Sequence, residues 1–197
     1  MRTMKIGQSG IEASVVGIGA WAIGGDSMWG ASDDAESVRT IHRARDLGVT
    51  LLDTAPAYGL GHSEEVVGKA LAGRRGDFIL STKCGLRWDI QEGALMMERE
   101  GVRIMRNTRP ERIVEEIEMS LRRLNTDYID VLLLHRPDAL VEPEEVARAF
   151  DHLAQSGKVL HFGLSEPSAR TIRRAHAVQP VAAIQSEYSL IERSVER

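Results

Sequence analysis

The sequence predicts an α/β protein of the (β/α)8 barrel (TIM-barrel) type, incomplete here at about six β/α units and opened by an N-terminal β-hairpin. Three observations predict it. Short apolar runs alternate with segments of helical period, which implies parallel strands joined by right-handed crossovers. The polar residues that stand out, Asp53, Lys83, His135, Ser165 and Gln185, all fall where strands end, and a barrel collects such residues around one pocket. The rival doubly wound sheet lacks its signature, because the first turn reads Gly17, Gly19, Ala20, Trp21 and not Gly-x-Gly-x-x-Gly.

The elements follow in order. Met4-Lys5-Ile6 and Ile11 to Ser14 flank Gln8-Ser9-Gly10 as a small hairpin, placed to plug the end of the barrel opposite the pocket. Val15 to Gly19 is the first barrel strand. Asp33 to Gly48 is a helix with Val38 and Ile41 on its inner face, Ala44 and Leu47 beside them, and a capping box from Asp33 and Glu36. Thr50 to Asp53 is a strand, Ser63 to Leu71 a helix closed by Gly73, and Phe78 to Lys83 a strand. Pro110 opens a helix whose stripe is Val114, Ile117, Leu121 and Leu124. Tyr128 to His135 is apolar on both faces, as a buried parallel strand should be. Pro143 to Ser156 turns Val146, Phe150 and Leu153 inward and stops at Gly157. Val159 to Ser165, Ser168 to Val178 and Val181 to Tyr188 complete the strand, helix, strand series. A closed barrel needs eight strands and typically about 250 residues. The expectation is therefore one barrel domain over residues 1–197, truncated at its C-terminal side, with open edges that leave a homo-oligomer open.

Composition narrows the function. The 25 basic residues form no long run and the net charge is −4, which argues against a nucleic-acid or anionic-membrane surface. Cys84 is the single cysteine, so no internal disulfide forms. With no signal pattern in Met1 to Gly10 and no apolar run of spanning length, the expectation is a cytoplasmic protein outside the membrane. No cluster of His, Cys and Asp shows ligand spacing, so no metal site is expected.

Four strand-end and loop residues form a chemical set. Asp53 ends a strand and Tyr58 follows in a Gly/Pro-punctuated loop; Lys83 and His135 end the next two strands. Each alone reads as a cap, a packing residue or a solvated terminus. Together, at one rim, they suit carbonyl reduction, which needs hydride at carbon and a proton at oxygen. A free tyrosine, with a pKa near ~10, is a poor acid at neutral pH, and an ammonium beside it stabilises the phenolate. Tyr58 is then the proton donor, Lys83 its tuner, Asp53 the partner that orients the lysine, and His135 the hydrogen-bond donor to the carbonyl. Cys84 reads as a small buried hydrophobe and not a nucleophile.

These residues resemble a known family. Asp53-Thr54-Ala55-x-x-Tyr58-Gly59, then Ser81-Thr82-Lys83, then Leu132-Leu133-Leu134-His135 look like the catalytic tetrad of the aldo-keto reductases, bacterial oxidoreductase branch. Gly17 to Trp21, Gly157 to Ser165 and Gln185 to Leu190 resemble further segments of that family, in order along the chain. The resemblance implies NADPH, or NADH, bound without a dinucleotide fold, and a small aldehyde, ketone or dicarbonyl such as methylglyoxal as substrate. It implies that Ser165 and Gln185 hold the nicotinamide carboxamide, that Tyr188 stacks on the ring, and that Gly19, Ala20 and Trp21 line the mouth. Asp53, Glu166 and Ser189 complete the implied cofactor set. Many members have Ser-Asn where this chain has Ser165-Glu166, and a carboxylate accepts hydrogen bonds but cannot donate them. The family's clamp for the adenosine end follows the seventh strand, beyond the six counted here. The long connection from Cys84 to Thr108 lies at the same rim. There Trp88, Leu95, Met96 and Met97 are candidates for a substrate wall with Trp21, Trp29 and His135, or a loop packed on itself. Two other readings belong to the same resemblance, a cofactor-binding redox-sensing subunit and an inactive partial barrel; an intact tetrad argues against the first.

Overall fold

A computed structural model describes residues 1–196, and local capping chemistry sets most of its element boundaries. A hairpin of β1 (Thr3–Lys5) and β2 (Glu12–Ser14) comes first, followed by β3 (Gly17–Gly19). Then α1 (Asp34–Asp46) starts where the Asp33 carboxylate accepts the Glu36 amide at 2.9 Å. Next come β4 (Leu51–Asp53), α2 (His62–Leu71) and β5 (Ile79–Cys84), and then three strands in the long connection, β6 (Leu86–Arg87), β7 (Ala94–Arg99) and β8 (Val102–Arg106). Helix α3 (Pro110–Leu124) has proline in its first turn, where no amide partner is needed, and stops at Asn125 in the left-handed conformation. The chain continues with β9 (Ile129–Leu134), α4 (Pro143–Gln155), β10 (Val159–Ser165), α5 (Ala169–His176), capped by Ser168, and β11 (Val181–Gln185).

Six strands form one parallel sheet in the order β3-β4-β5-β9-β10-β11, so each strand after a helix is laid beside the one before it. The sheet is curled, the shape of an incomplete (β/α)8 barrel. Side-chain alternation then sorts the chemistry from the core. Cys84, Leu132, Leu134, Phe162 and Leu164 turn to the helices and pack with Ile117, Val146, Phe150 and Leu153. Leu52 and Leu80 pack likewise with Ile41, Val67 and Leu71 of α1 and α2. The intervening residues, Lys83 among them, fall on the concave face. Leu47, expected beside the inner stripe of α1, is exposed because the helix ends there at its C-cap.

The hairpin lies at the N-terminal ends of the strands. The Ser14 hydroxyl accepts the Thr50 amide at 2.8 Å, and a Cβ on Gly7 would stand 2.4 Å from the Ala182 carbonyl oxygen. It therefore reaches from the start of β4 to the start of β11, across the bottom of the curl. Two expectations are corrected. The last strand ends at Gln185, not Tyr188: the Ser189 hydroxyl accepts the Glu192 amide at 2.9 Å and turns the chain off the sheet. The connection after Cys84 is not an irregular loop but a three-stranded antiparallel flap, ordered β6-β8-β7. Glu100 and Gly101, both at positive φ, make the two-residue turn that joins β7 to β8.

One buried ion pair ties the middle of the sheet together. The Asp130 carboxylate, on β9, accepts the Leu80 amide at 2.8 Å and the Arg75 guanidinium at 2.6 Å. Replacing Asp130 by Ala leaves the Leu80 amide without an acceptor and takes the counter-charge from the Arg75 guanidinium, which keeps only neutral acceptors at Thr126, Phe78 and Tyr128. The variant should lose about 3 kcal/mol of stability, read as a lower urea midpoint at unchanged slope.

Candidate active site

The parallel register brings the strand ends to one level. Gly19 pairs with Asp53, Asp53 with Ser81, Cys84 with Leu134, and Ser165 with Gln185. Lys83, 2 % exposed, extends along the concave face to the Asp53 carboxylate at 2.7 Å and the Thr54 carbonyl at 2.9 Å. The second Asp53 carboxylate oxygen is buried without a hydrogen-bond partner among the described residues.

Two buried glutamates brace the strand that carries Lys83. Glu64 of α2 accepts the Thr82 hydroxyl and the Arg123 guanidinium, each at 2.7 Å. Glu116 of α3 accepts the Gly85 amide at 2.7 Å. Burial raises the pKa of both, that of Glu116 to about 8. Burial also pushes the Cys84 thiol up, with Glu116 adding to it, so this thiol is held in its inert form.

Tyr58 sits on a turn built by close backbone contact. A Cβ on Gly59 would meet the Gly24 carbonyl oxygen at 2.2 Å, and one on Gly24 would meet the Gly59 nitrogen at 2.7 Å, so both positions exclude side chains. Ser63 closes the turn by donating to the Ala20 carbonyl at 2.7 Å, while the Ala20 amide donates to the Asp53 carbonyl at 2.8 Å. The Tyr58 ring then stacks on Trp21, with centroids 5.6 Å apart and planes at 20°. It meets His135 edge-on at 5.8 Å. The Lys83 ammonium lies 5.0 Å from its centroid. Desolvation, with the positive charges of Lys83 and Arg136, lowers the His135 pKa to about 3, so its imidazole is neutral.

A cavity of about 490 Å³ opens over this group. Trp21, Tyr58, Lys83, His135, Ser165, Glu166 and Gln185 of the expected site line it. Neither the Ser165 hydroxyl nor the Gln185 amide makes a side-chain hydrogen bond among the described residues, so both are free to pair with a ligand. Glu166, in the left-handed conformation, accepts the Glu187 amide at 2.6 Å. The flap supplies an apolar wall of Leu86, Met96, Met97 and Ile104.

Other expected residues lie elsewhere. Gly19 and Ala20 hold the end of β3 against β4 and do not reach the lining. Trp29 packs edge-on against Trp21 at 5.7 Å and is itself exposed. Trp88 is on the far side of the flap's first strand, in a smaller cavity with Pro56 and Met119 and under the Arg123 guanidinium. Leu95 is half exposed and outside the lining. Tyr188 is 60 % exposed and donates to Glu196 at 2.6 Å, and Ser189 is occupied by its turn. Arg99, Arg136, Ser186 and Glu187 join the lining without having been singled out in the sequence. Arg136 and Glu187 had a signal, being within two residues of His135 and Gln185; Arg99 had none, since the flap's fold alone brings it there. Among the described residues there is no group of three or more candidate metal ligands, and no helix is long and apolar enough to cross a membrane.

Comparison with known proteins agrees with this geometry. The model of the Aldo/keto reductase family matches residues 15–197. Aldo-keto reductase YhdN of Bacillus subtilis is 45 % identical over 198 residues, covering all of this chain and 56 % of that protein. The NADH-specific methylglyoxal reductase of Escherichia coli is 34 % identical, covering all of this chain and 61 % of its own length. Among solved structures, the glycerol dehydrogenase AKR11B4 of Gluconobacter oxydans superposes with a TM-score of 0.87 at 42 % identity, over 98 % of this chain and 57 % of that one. The holo form of the aldo-keto reductase AKR11C1 of Bacillus halodurans gives 0.85 at 32 % identity, over all of this chain and 60 % of that one. The chain thus spans less than two thirds of the length of each of these relatives.

Two titrations follow from the buried groups. A raised Glu116 pKa means that the folded state keeps a proton that the unfolded state releases above about pH 4.5, so stability should fall as pH rises from there to about 8. Glu116→Gln keeps an acceptor for the Gly85 amide, and urea unfolding across pH should show that part of the slope flattened. In NMR titration, the lowered His135 pKa should leave its imidazole without a protonation step between about pH 5 and pH 8.

Proposed function

The chain belongs to the aldo/keto reductase family, and on that premise we propose that it reduces small aldehydes and ketones with NADPH, NADH being the alternative, and with Tyr58 as proton donor. The observation that carries the reading is the convergence of Tyr58, Lys83 and His135 on one cavity whose neighbouring wall presents Ser165 and Gln185 with free side chains. Those two groups fit the cofactor. A hydroxyl and a primary amide side by side at the ends of paired strands can donate to and accept from a carboxamide, which is what a nicotinamide presents. Bound there, the reduced nicotinamide supplies a hydride to the carbonyl carbon.

The chain's own residues handle the oxygen. As the carbon gains the hydride, the π electrons of the carbonyl move to oxygen, which takes the Tyr58 hydroxyl proton. The Lys83 ammonium lies beside the negative charge left on Tyr58, and the Asp53 carboxylate with the Thr54 carbonyl keeps that ammonium aimed. The neutral His135 imidazole has one N–H to donate to the same carbonyl oxygen, as an oxyanion-hole donor does. Trp21, stacked on Tyr58, holds the orientation of its ring. Methylglyoxal is a fitting first substrate, because the Escherichia coli relative is named as a methylglyoxal reductase.

The test follows loss of reduced-nicotinamide absorbance with methylglyoxal, using NADPH and NADH in parallel. Turnover should be present in the unmodified chain and fall by about 100-fold or more in Tyr58→Phe. The cofactor-induced rise in melting temperature should persist in the variant. Equal turnover in both proteins would rule out Tyr58 as the acid.

A further inference from the structure

Three cations line the cavity, and two of them are already neutralised. Lys83 is paired with Asp53, and the Arg99 guanidinium with Asp26 at 2.6 Å. Arg136, directly after His135, has no ion pair and no side-chain hydrogen bond among the described residues, although it is only partly exposed. A partly desolvated guanidinium normally finds a carboxylate, a carbonyl or a ligand. This one stands close enough to the reaction centre for its charge to act on the His135 imidazole. The carboxylates in the same lining do not satisfy it. Glu166 accepts the Glu187 amide, and neither Glu166 nor Glu187 comes within ion-pair distance of Arg136.

We propose that Arg136 recognises a carboxylate carried by the substrate, so that the preferred substrates are carbonyl compounds with a single carboxylate at the other end. The inference rests on the carbonyl-reducing reading above. Three features fit that class. A planar guanidinium takes a carboxylate through two parallel hydrogen bonds, which fixes orientation as well as affinity. The flap's Leu86, Met96, Met97 and Ile104 offer apolar contact for a hydrocarbon spacer between the two ends. Glu166 and Glu187 add negative charge to the lining, which disfavours a phosphate dianion more than a monoanion.

The same guanidinium chemistry would suit a phosphate of the cofactor, and the experiment separates the two sources. Initial rates are measured for the unmodified chain and Arg136→Gln with butanal against 4-oxobutanoate, and hexanal against 6-oxohexanoate. The ratio of kcat/KM for oxo acid over alkanal should drop by about 10- to 100-fold in the variant, chiefly through KM, and recover in part in Arg136→Lys. An unchanged ratio overturns the proposal; if the cofactor KM rises at the same time, Arg136 belongs to a cofactor phosphate. Should the unmodified chain reduce none of the four, the carbonyl-reducing reading fails, and a second readout decides this one. Trp21 lines the cavity, so 4-oxobutanoate should quench tryptophan fluorescence saturably without cofactor. Quenching lost in Arg136→Gln supports the carboxylate site, and quenching equal in both proteins, or absent from both, overturns it.

Discussion

A buried ammonium organises the centre of this molecule. Lys83 is almost wholly out of water, and a lone charge there would cost several kcal/mol even after relaxation, on the order of what a single mutation rarely exceeds. The Asp53 carboxylate and Thr54 carbonyl remove that cost only if the ends of β4 and β5 stay level and adjacent. The rest of the site hangs on that alignment. The residues after Asp53 must turn at once to bring Tyr58 back over Lys83, and the Gly24–Gly59 contact makes so sharp a turn feasible. The helices behind contribute too: Glu64 and Glu116 grip β5 on both sides of Lys83 through Thr82 and Gly85.

The polar groups are divided between the two faces of the sheet according to what they do. On the helix side, Glu64, Glu116 and Asp130 are largely buried acceptors for neighbouring donors. On the concave side, Ser165, Gln185 and Arg136 keep unused hydrogen-bonding capacity toward a cavity. A protein interior satisfies nearly all its polar groups, so unused capacity gathered around one cavity is what a ligand site requires. Neutral His135 belongs to the same logic, since burial beside Lys83 and Arg136 keeps a third positive charge from forming there.

The flap gives the cavity its apolar side. Barrel strands end in short loops, but here the 25 residues between β5 and α3 carry their own hydrogen-bonded sheet, anchored to the barrel at several points. Arg99 ties the tip to Asp26, and Arg106 donates to the Pro137 carbonyl at 3.1 Å just past the His135–Arg136 pair. Met96, Met97 and Ile104 are thereby held over Tyr58 without belonging to the barrel at all.

Much of this was legible in the sequence. Helical stripes such as Ile117, Leu121 and Leu124, the proline and Asn125 at the ends of α3, and polar residues closing apolar runs identify the β/α order and the level of Asp53, Lys83 and His135. Those signals are local: period, caps and strand ends depend on a residue's near neighbours. Not every aromatic was legible. Trp88 and Tyr188 have the composition of pocket residues, yet one is turned under Arg123 and the other lies on a turn facing solvent. Where a loop side chain points depends on what its loop packs against, and the turn at Glu100–Gly101 folds the flap so that methionines, not Trp88, face Tyr58. The sequence by itself determined the element order, the parallel sheet and which strand ends carry chemistry, because these follow from short-range patterning. Only the tertiary structure decided that Lys83 is buried against Asp53, that Arg136 is left unpaired and that the flap closes one wall, because each is a balance of desolvation and contact among segments far apart in the chain.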